Sequence, residues 1–238
     1  MQKKSSTYKV LGVISKICFA LAIVVALYVL YLLVWTGVIA NHAQNDAITK
    51  ISMDQPLDNK KSAPEYRDNW PEIAQMPDGQ IIGQVYIPRF GKDYWRTLFQ
   101  GTEKDMLDTM GFGHYSQSVM PGQIGNFSAA AHRNGYGASL EGIQTLQTGD
   151  ALIVRTAQYW FVYKVTSYEI VDPENTGGIL PVPYNNAAVP TLRLITFTTC
   201  HPEYSTQFRY IEHGAIDYWS NVKDGVPKEL LNIGAQVG

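Results

Sequence analysis

The hydrophobic pattern divides the chain into one long apolar run near the N-terminus and a larger region of short apolar runs. The apolar run extends from Ile17 to Ala40, 24 residues without a charged side chain. A helix of this length measures about 36 Å, which exceeds the roughly 30 Å hydrocarbon core of a bilayer. The pattern therefore predicts a transmembrane anchor over residues 17–40.

A cleaved signal peptide is the alternative for this segment, but its apolar region spans only about 7–15 residues and ends in an A-x-A-like site. The sequence between Ala40 and Ala43 has the wrong spacing for such a site. The 16 residues before the run contain no acidic residue and four lysines: Lys3, Lys4, Lys9 and Lys16. This asymmetry predicts that residues 1–16 are cytoplasmic and that the rest of the chain lies outside the membrane.

Residues 41–78 are mostly polar and contain four prolines: Pro56, Pro64, Pro71 and Pro77. This composition predicts an extracellular linker between the anchor and the folded domain. A segment that folds over the domain is the alternative.

From Gly79 onward, short β-branched and aromatic runs alternate with turn residues, a pattern typical of strands. The predicted strands include 81–87, 94–99, 127–131, 151–156 and 160–171, with two more between Thr191 and His213. Short helical turns are predicted over 102–109 and 140–146. About eight strands and almost no long helix predict an all-β barrel or sandwich over residues 79–222. Residues 223–238 are predicted to be a C-terminal extension.

Charge and cysteine content exclude several classes of function. Four of the 19 Lys and Arg residues precede residue 41, so 15 remain against 21 Asp and Glu, a net charge of −6 outside the anchor. This mild acidity, without a basic cluster, argues against nucleic-acid binding. One cysteine, Cys18, lies inside the predicted anchor, so Cys200 is left as a single free thiol in the outer domain. We recognise no cluster of metal ligands, so neither a metal nor a cofactor is predicted.

Cys200 stands at the end of one strand-like run, and Arg209 lies on the next. A short polar connection between such runs is typical of neighbouring antiparallel strands, which lie about 4.8 Å apart. A thiolate nucleophile needs a nearby cation to lower its pKa and to stabilise developing negative charge. The sequence therefore predicts that Cys200 and Arg209 share one pocket.

Two motifs resemble those of the sortase family. The sequence TFTTC from Thr196 to Cys200 resembles the sortase T-L-x-T-C signature, with Phe197 in place of Leu. The segment from Gly111 to Gly137 is similar to the sortase order of GHY, PG, GN and a histidine followed by arginine. His-Pro after the cysteine and Arg209 on the next strand resemble the class E-like, actinobacterial branch. The resemblance covers roughly residues 79–215.

The resemblance implies a closed eight-stranded β-barrel and three catalytic residues. Cys200 would be the nucleophile, His132 the general acid and base, and Arg209 the cation that stabilises the oxyanion. Thr199 is a supporting candidate beside the nucleophile. Ala131 replaces the glycine that usually precedes the catalytic histidine, which alters the backbone freedom at that position.

The implied function is that of a membrane-anchored cysteine transpeptidase. Such an enzyme cleaves an LAXTG- or LPXTG-like sorting signal after Thr, forms a thioester on cysteine and transfers the protein to an amine of peptidoglycan precursor. Implied partners are therefore surface proteins with a C-terminal signal, the precursor amine and membrane lipid. The class E-like features imply LAXTG as the preferred signal.

An irregular connection between residues 172 and 190 is a second candidate for function, because loops this long within a barrel are often functional. By resemblance to the sortase groove, six of its residues are predicted to contact substrate: Ile179, Leu180, Pro181, Val182, Pro183 and Tyr184. Simple loop packing is the alternative. His114 and His201 are expected to have local structural roles, and Arg133, Arg155 and Arg193 to face solvent.

Three other functions remain open at this point. A pilin-polymerising sortase would use a lysine amine of another subunit as the acceptor. A non-catalytic surface-binding barrel would keep the fold without needing Cys200. A cysteine protease would resolve the thioester with water rather than with an amine.

Overall fold

Eight β-strands close into a barrel, as the resemblance implied. The computed structural model describes residues 3–49 and 61–231. The strands are β1 (Ile81–Tyr86), β2 (Trp95–Gln100), β3 (Phe112–His114), β4 (Gly125–Ala131), β5 (Ala151–Arg155), β6 (Tyr159–Val171), β7 (Arg193–His201) and β8 (Phe208–Asn221). Closure removes the exposed strand edges that an open sheet of this size would present.

Around the barrel the strands follow the order β1-β2-β3-β4-β7-β8-β6-β5. The pairs β2–β3 and β4–β7 are parallel, whereas the other pairs are antiparallel. A parallel pair needs a crossover connection. Strands β5 and β6 are part of the crossover between β4 and β7, and β8 follows β7 directly.

The barrel interior is filled by alternate residues of the strands. On β4 and β7 the inward positions include Phe127, Ala129, Ile195 and Phe197, all fully buried. The ring of Phe197 lies 4.8 Å from that of Phe112, measured between centroids. Full burial of such a side chain stabilises the fold by roughly 1.5–3 kcal/mol. Because side chains alternate along a strand, the intervening positions of β4 and β7 face outward.

The predicted strands are confirmed with ends that differ by one or two residues, except that β8 continues to Asn221, eight residues beyond the predicted region. Strands β5 and β6 form an antiparallel hairpin. The helical segment predicted over 102–109 is a short helix, Lys104–Met110, in the structure. It is called α3 because two helices precede it in the chain. The second predicted helix is reduced to a 3-10 turn at Ile143–Thr145. Strand β3, which spans three residues, was not among the predicted strands.

Two helices precede the barrel: α1 (Lys3–Leu30) and α2 (Thr36–Thr49), joined by a π-helical turn at Tyr31–Trp35. Within α1, Tyr8–Leu30 spans 23 residues with a mean hydropathy of 2.6 and has none of its surface buried. Its length and composition suit a membrane crossing. This segment begins and ends nearer the N-terminus than the predicted anchor over 17–40.

Residues 61–78 lie along the barrel. The amide of Ala63 donates to Val226 O at 2.8 Å, and the amide of Tyr66 donates to Trp219 O at 2.9 Å. A short helix, α4 (Lys228–Leu231), follows on the same side. Residues 50–60 of the predicted linker and 232–238 of the predicted extension lie outside the described residues.

Candidate active site

Cys200 and Arg209 are directly paired across strands β7 and β8. Directly opposite residues in an antiparallel pair have Cβ atoms about 4.5–5.5 Å apart and side chains on the same face. Cys200 is half-buried, so its sulfur is neither sealed in the core nor fully solvated. The guanidinium of Arg209 donates through Nη1 to the carbonyl oxygens of Thr206 and Phe208, at 3.1 and 3.2 Å.

His132 follows strand β4 directly, on the other side of Cys200. The parallel pairing of β4 with β7 reaches Ala130 and Thr198. His132 and Cys200 each lie two residues beyond this pair, so they occupy corresponding positions at the ends of two neighbouring strands. Because alternate positions share a face, both residues lie on the outward side of the sheet.

One buried hydrogen bond joins strands β4 and β7 at this point. Thr199 Oγ1 donates to Ala131 O at 2.7 Å, one residue before Cys200 and His132 respectively. Thr199 is 4% exposed and therefore lies within the wall rather than in the open site. The structure thus brings the predicted base, nucleophile and cation to adjacent positions on one end of β4, β7 and β8.

The imidazole of His132 has two neighbours that the sequence did not indicate. Its Nε2 lies 2.8 Å from Asp108 Oδ1, on helix α3. The ring of Tyr136 lies 5.1 Å from the imidazole, measured between centroids. Tyr136 has a φ of 48°, a left-handed conformation that is uncommon for a bulky residue and typical of functional sites.

Arg133 is buried, contrary to the expectation of a solvent-facing turn residue: 4% of it is exposed. Its Nη1 donates to Cys200 O at 3.3 Å and lies 2.8 Å from His201 Nδ1. Its Nη2 donates to Gln144 Oε1 at 2.9 Å. Arg133 therefore holds the backbone of the Cys200 strand end, and His201 has the local structural role that was expected of it.

Arg155 and Arg193 also differ from the solvent-facing expectation. Arg155 is 3% exposed and its guanidinium lies over the ring of Trp160, 5.4 Å from the centroid. Arg193 donates to Gly122 O at 2.7 Å and lies over the ring of Trp70. Aromatic faces cover both guanidinium groups, an arrangement that the local sequence pattern does not reveal.

His114 has a structural role, as expected. Burial lowers the pKa of His114 to about 4. Its Nδ1 lies 2.9 Å from Gln100 Oε1, and its Nε2 lies 2.8 Å from Ser118 Oγ. The ring stacks on Phe127. His114 therefore stays neutral in the folded protein and fixes strands β2 and β3 to the following loop.

The connection between β6 and β7 is attached to the outward face of the sheet. Asn126, which is 1% exposed, donates through Nδ2 to Gly178 O at 2.9 Å and Leu180 O at 3.0 Å. A 3-10 turn at Gly177–Ile179 begins this attached part of the loop. Asn126 lies on the same outward-facing row as His132 but six residues earlier, about 20 Å along the strand at 3.3 Å per residue, so this attachment lies away from the Cys200 end of the sheet.

The six residues predicted to contact substrate lie within this loop. Pro181 and Tyr184 are exposed, and the other four are partly buried. Pro183 and Tyr184 line a cavity of about 330 Å³ together with Glu169 and His213. His213 bridges Glu169 Oε1 and Thr196 Oγ1 through its two ring nitrogens, both at 2.9 Å. Sequence analysis gave His213 no role.

Within residues 3–49 and 61–231, no group of three or more His, Cys, Asp or Glu side chains is arranged to hold a metal ion. The groups that the structure places at the Cys200 end are a thiol, an imidazole and a guanidinium.

A family model of the sortase domain matches residues 85–217, more than half of the chain. The chain is a sortase. Sortases are cysteine transpeptidases, and the barrel with its cysteine, histidine and arginine neighbours agrees with this membership.

Relatives of this sortase indicate a class E-like member. It is 31% identical to Sortase SrtE1 and 29% identical to Sortase SrtE2 of Streptomyces coelicolor, over 92% of this chain in both cases. The chain spans only 60% of the length of SrtE1, but 87% of the length of SrtE2.

Solved structures give the same assignment. The SrtA sortase from Actinomyces oris is 38% identical, with a TM-score of 0.67, over 71% of this chain and 97% of that one. Sortase E1 from Streptomyces coelicolor, solved with a tripeptide in the active site, is 33% identical, with a TM-score of 0.59, over 66% of this chain and 99% of that one.

Proposed function

We propose that this sortase is anchored in the cell membrane and joins surface proteins to a cell-wall amine, with Cys200, His132 and Arg209 as its catalytic residues. The observation that carries the proposal is the cross-strand pairing of Cys200 with Arg209, with His132 at the corresponding position on the other flank. This arrangement offers a nucleophile, a proton carrier and a fixed cation within reach of one carbonyl group.

In the first half-reaction, the Cys200 thiolate attacks the carbonyl carbon of the threonine in the sorting signal. A C–S bond forms, and negative charge develops on the carbonyl oxygen, where Arg209 donates hydrogen bonds. The C–N bond to the next residue then breaks. His132 as imidazolium gives its proton to the departing amine, which leaves a thioester on Cys200.

In the second half-reaction, the acceptor amine attacks the thioester carbon. His132, now neutral, takes a proton from this amine as the new C–N bond forms. The C–S bond breaks, and the electron pair returns to sulfur as thiolate. The enzyme is regenerated with its original protonation, so two-substrate kinetics of the ping-pong type are expected.

The substrate is a C-terminal LAXTG- or LPXTG-like signal, with LAXTG preferred, and the acceptor is an amine of peptidoglycan precursor. The resemblance to class E sortases supports this choice. The Sortase E1 structure, which holds a tripeptide in its active site, supports peptide binding at the corresponding site of this chain. Residues 179–184 contact the signal, since the loop that contains them is attached to the same outward face as Cys200.

The catalytic barrel, residues 79–222, lies outside the cell, and residues 1–16 lie in the cytoplasm. The apolar helix Tyr8–Leu30 supports a single membrane crossing. The lysines near the N-terminus, with no acidic residue among the first 40, support this orientation. Residues 223–238 extend from the barrel.

The test is a transpeptidation assay with the full-length protein in detergent. LAXTG and LPXTG peptides are incubated with and without an amine acceptor, and the products are followed by mass spectrometry. We expect an amide between threonine and the acceptor, and a thioester adduct on Cys200 when the acceptor is omitted. Cys18→Ala is the matched control, because it removes the other cysteine and should keep full activity.

Other outcomes would identify the alternatives. Cleavage that never couples the amine would indicate a protease. Ladders of surface protein that depend on Cys200 would indicate a pilin-polymerising sortase. A cellular effect that survives Cys200→Ala, with no reaction of any peptide, would indicate a non-catalytic binding barrel.

A further inference from the structure

Asp108 is the acidic residue in hydrogen-bonding contact with His132. Its Oδ1 lies 2.8 Å from His132 Nε2. The carboxylate is 15% exposed and the imidazole 27%, so the pair is largely shielded from water. A carboxylate on one ring nitrogen of a histidine fixes the orientation of the ring and the nitrogen that remains available for proton transfer.

Asp108 is itself held in place from two sides. Its second oxygen, Oδ2, accepts a hydrogen bond of 2.5 Å from Lys104 Nζ, one turn earlier on helix α3. The ammonium of Lys104 also lies over the ring of Tyr136, 5.4 Å from the centroid. Tyr136 contacts the imidazole of His132 in turn. These contacts connect α3 to the His132 loop and leave Asp108 little freedom to turn away.

Strand β3 lies close to the backbone that leads from β2 into α3. A Cβ atom on Gly113 would lie 2.4 Å from Gly101 O and 3.0 Å from Leu107 Cδ2. A larger residue at position 113 would therefore displace the backbone that leads into the helix of Asp108.

We propose that Asp108 is a positioning residue for His132: it holds Nε2, so that Nδ1 exchanges protons with the substrate amines. This inference rests on the proposed function of His132. The other charged or titratable groups around the ring are Lys104 and Tyr136 on the α3 side, with Cys200 and Arg209 on the strand side.

The test compares Asp108→Asn with wild type in the full-length enzyme, using the peptide assay described above. Loss of the carboxylate should lower kcat by roughly tenfold to a hundredfold, as for other partners that orient a reacting histidine or ligand. KM for the peptide should stay within about twofold, because Asp108 contacts the proton carrier rather than the peptide.

Two controls separate positioning from structure. Asp105→Asn removes an exposed carboxylate from the same helix and should leave kcat unchanged. Lys104→Ala removes the second partner of Asp108 but leaves the bond to His132. Its loss of kcat should therefore be several-fold smaller than that of Asp108→Asn. If Asp108→Asn does not fold, Asp108→Ser is measured against the same criteria.

A kcat for Asp108→Asn within twofold of wild type, or above it, would overturn the inference. Failure of wild type itself with every peptide and acceptor would instead overturn the proposed function, so the two failures are distinguishable.

Discussion

Thr199 donates a buried hydrogen bond of 2.7 Å to the carbonyl oxygen of Ala131. The bond joins β7 to β4 at the last position before Cys200 and His132. Cys200 and His132, the proposed nucleophile and base, are separated by 68 residues along the sequence. This hydroxyl, together with Arg133, connects their backbones beyond the last pair of the β4–β7 ladder. Thr199 supports the site from within the barrel wall.

Thr199→Val tests this role, because valine keeps the shape of threonine but cannot donate. The buried carbonyl of Ala131 would lose its partner, at a cost of about 1–3 kcal/mol in the free energy of unfolding. We also expect kcat to fall several-fold as the Cys200–His132 spacing relaxes. Urea denaturation and the peptide assay measure the two effects. Thr145→Val is the control, since Thr145 makes a similar 2.7 Å bond to Gly142 O at an exposed position.

Arg209→Lys should lose most turnover. The compact ammonium of lysine cannot reproduce the planar fork that binds an oxyanion and keeps its contacts to the strand end. Removal of one such donor typically costs a factor of roughly 100–1,000 in kcat. The measurement is kcat for LAXTG peptide, with Arg67→Lys, an exposed ion-pair change, as control. Near-normal rates would remove the proposed role of Arg209.

Asn126→Asp should weaken peptide binding more than turnover. A carboxylate cannot donate to Gly178 O and Leu180 O, so the loop with residues 179–184 would lose its attachment to the sheet. We expect KM to rise roughly tenfold, with a smaller change in kcat, together with faster proteolysis within the loop. An unchanged KM despite a loosened loop would contradict substrate contact by residues 179–184.

Glu212→Gln should stabilise the protein at neutral and alkaline pH. Glu212 is 1% exposed, and within the described part of the chain its Oε2 has no hydrogen-bond partner. Burial raises the pKa of Glu212 to about 8, with a smaller contribution from Asp150. Between pH 4.5 and about 8, the carboxyl of Glu212 keeps its proton in the folded state but loses it in the unfolded state. The free energy of unfolding of the wild type therefore falls as the pH rises through this range.

The glutamine variant cannot ionise and should escape this loss. Its free energy of unfolding relative to wild type should rise by up to roughly 4 kcal/mol between pH 5 and pH 9, because one pKa unit corresponds to about 1.4 kcal/mol. Urea denaturation at the two pH values measures the difference. Glu174→Gln, in the exposed part of the β6–β7 connection, should show no such rise.

Much of the barrel could be predicted because its strands have a local signature. In the run that ends at Cys200, apolar and polar residues alternate in the sequence, which predicts a strand. The short connection to the Arg209 strand predicts that the two strands pair. Strand β3 was missed because three residues around Gly113 are too few to establish a period. Closure of the barrel, rather than a sandwich, came from the resemblance.

The neighbours of the site could not be read from the sequence for a different reason. Asp108 belongs to a predicted helical segment, but nothing local indicates that its carboxylate meets an imidazole 24 residues later. Arg133 follows a strand and precedes turn residues, which favours exposure. Its burial arises only when the end of β7 and Gln144 pack around it. Such contacts are properties of the folded chain.

The parallel pairing of β4 with β7 has a consequence for the nascent protein. His132 is synthesised well before Cys200, and Arg209 comes last, after the crossover through β5 and β6 is complete. Until β8 is in place, Cys200 has no partner residue across the sheet on that side. The proposed active site is therefore completed only at the final step of assembly, when the barrel closes.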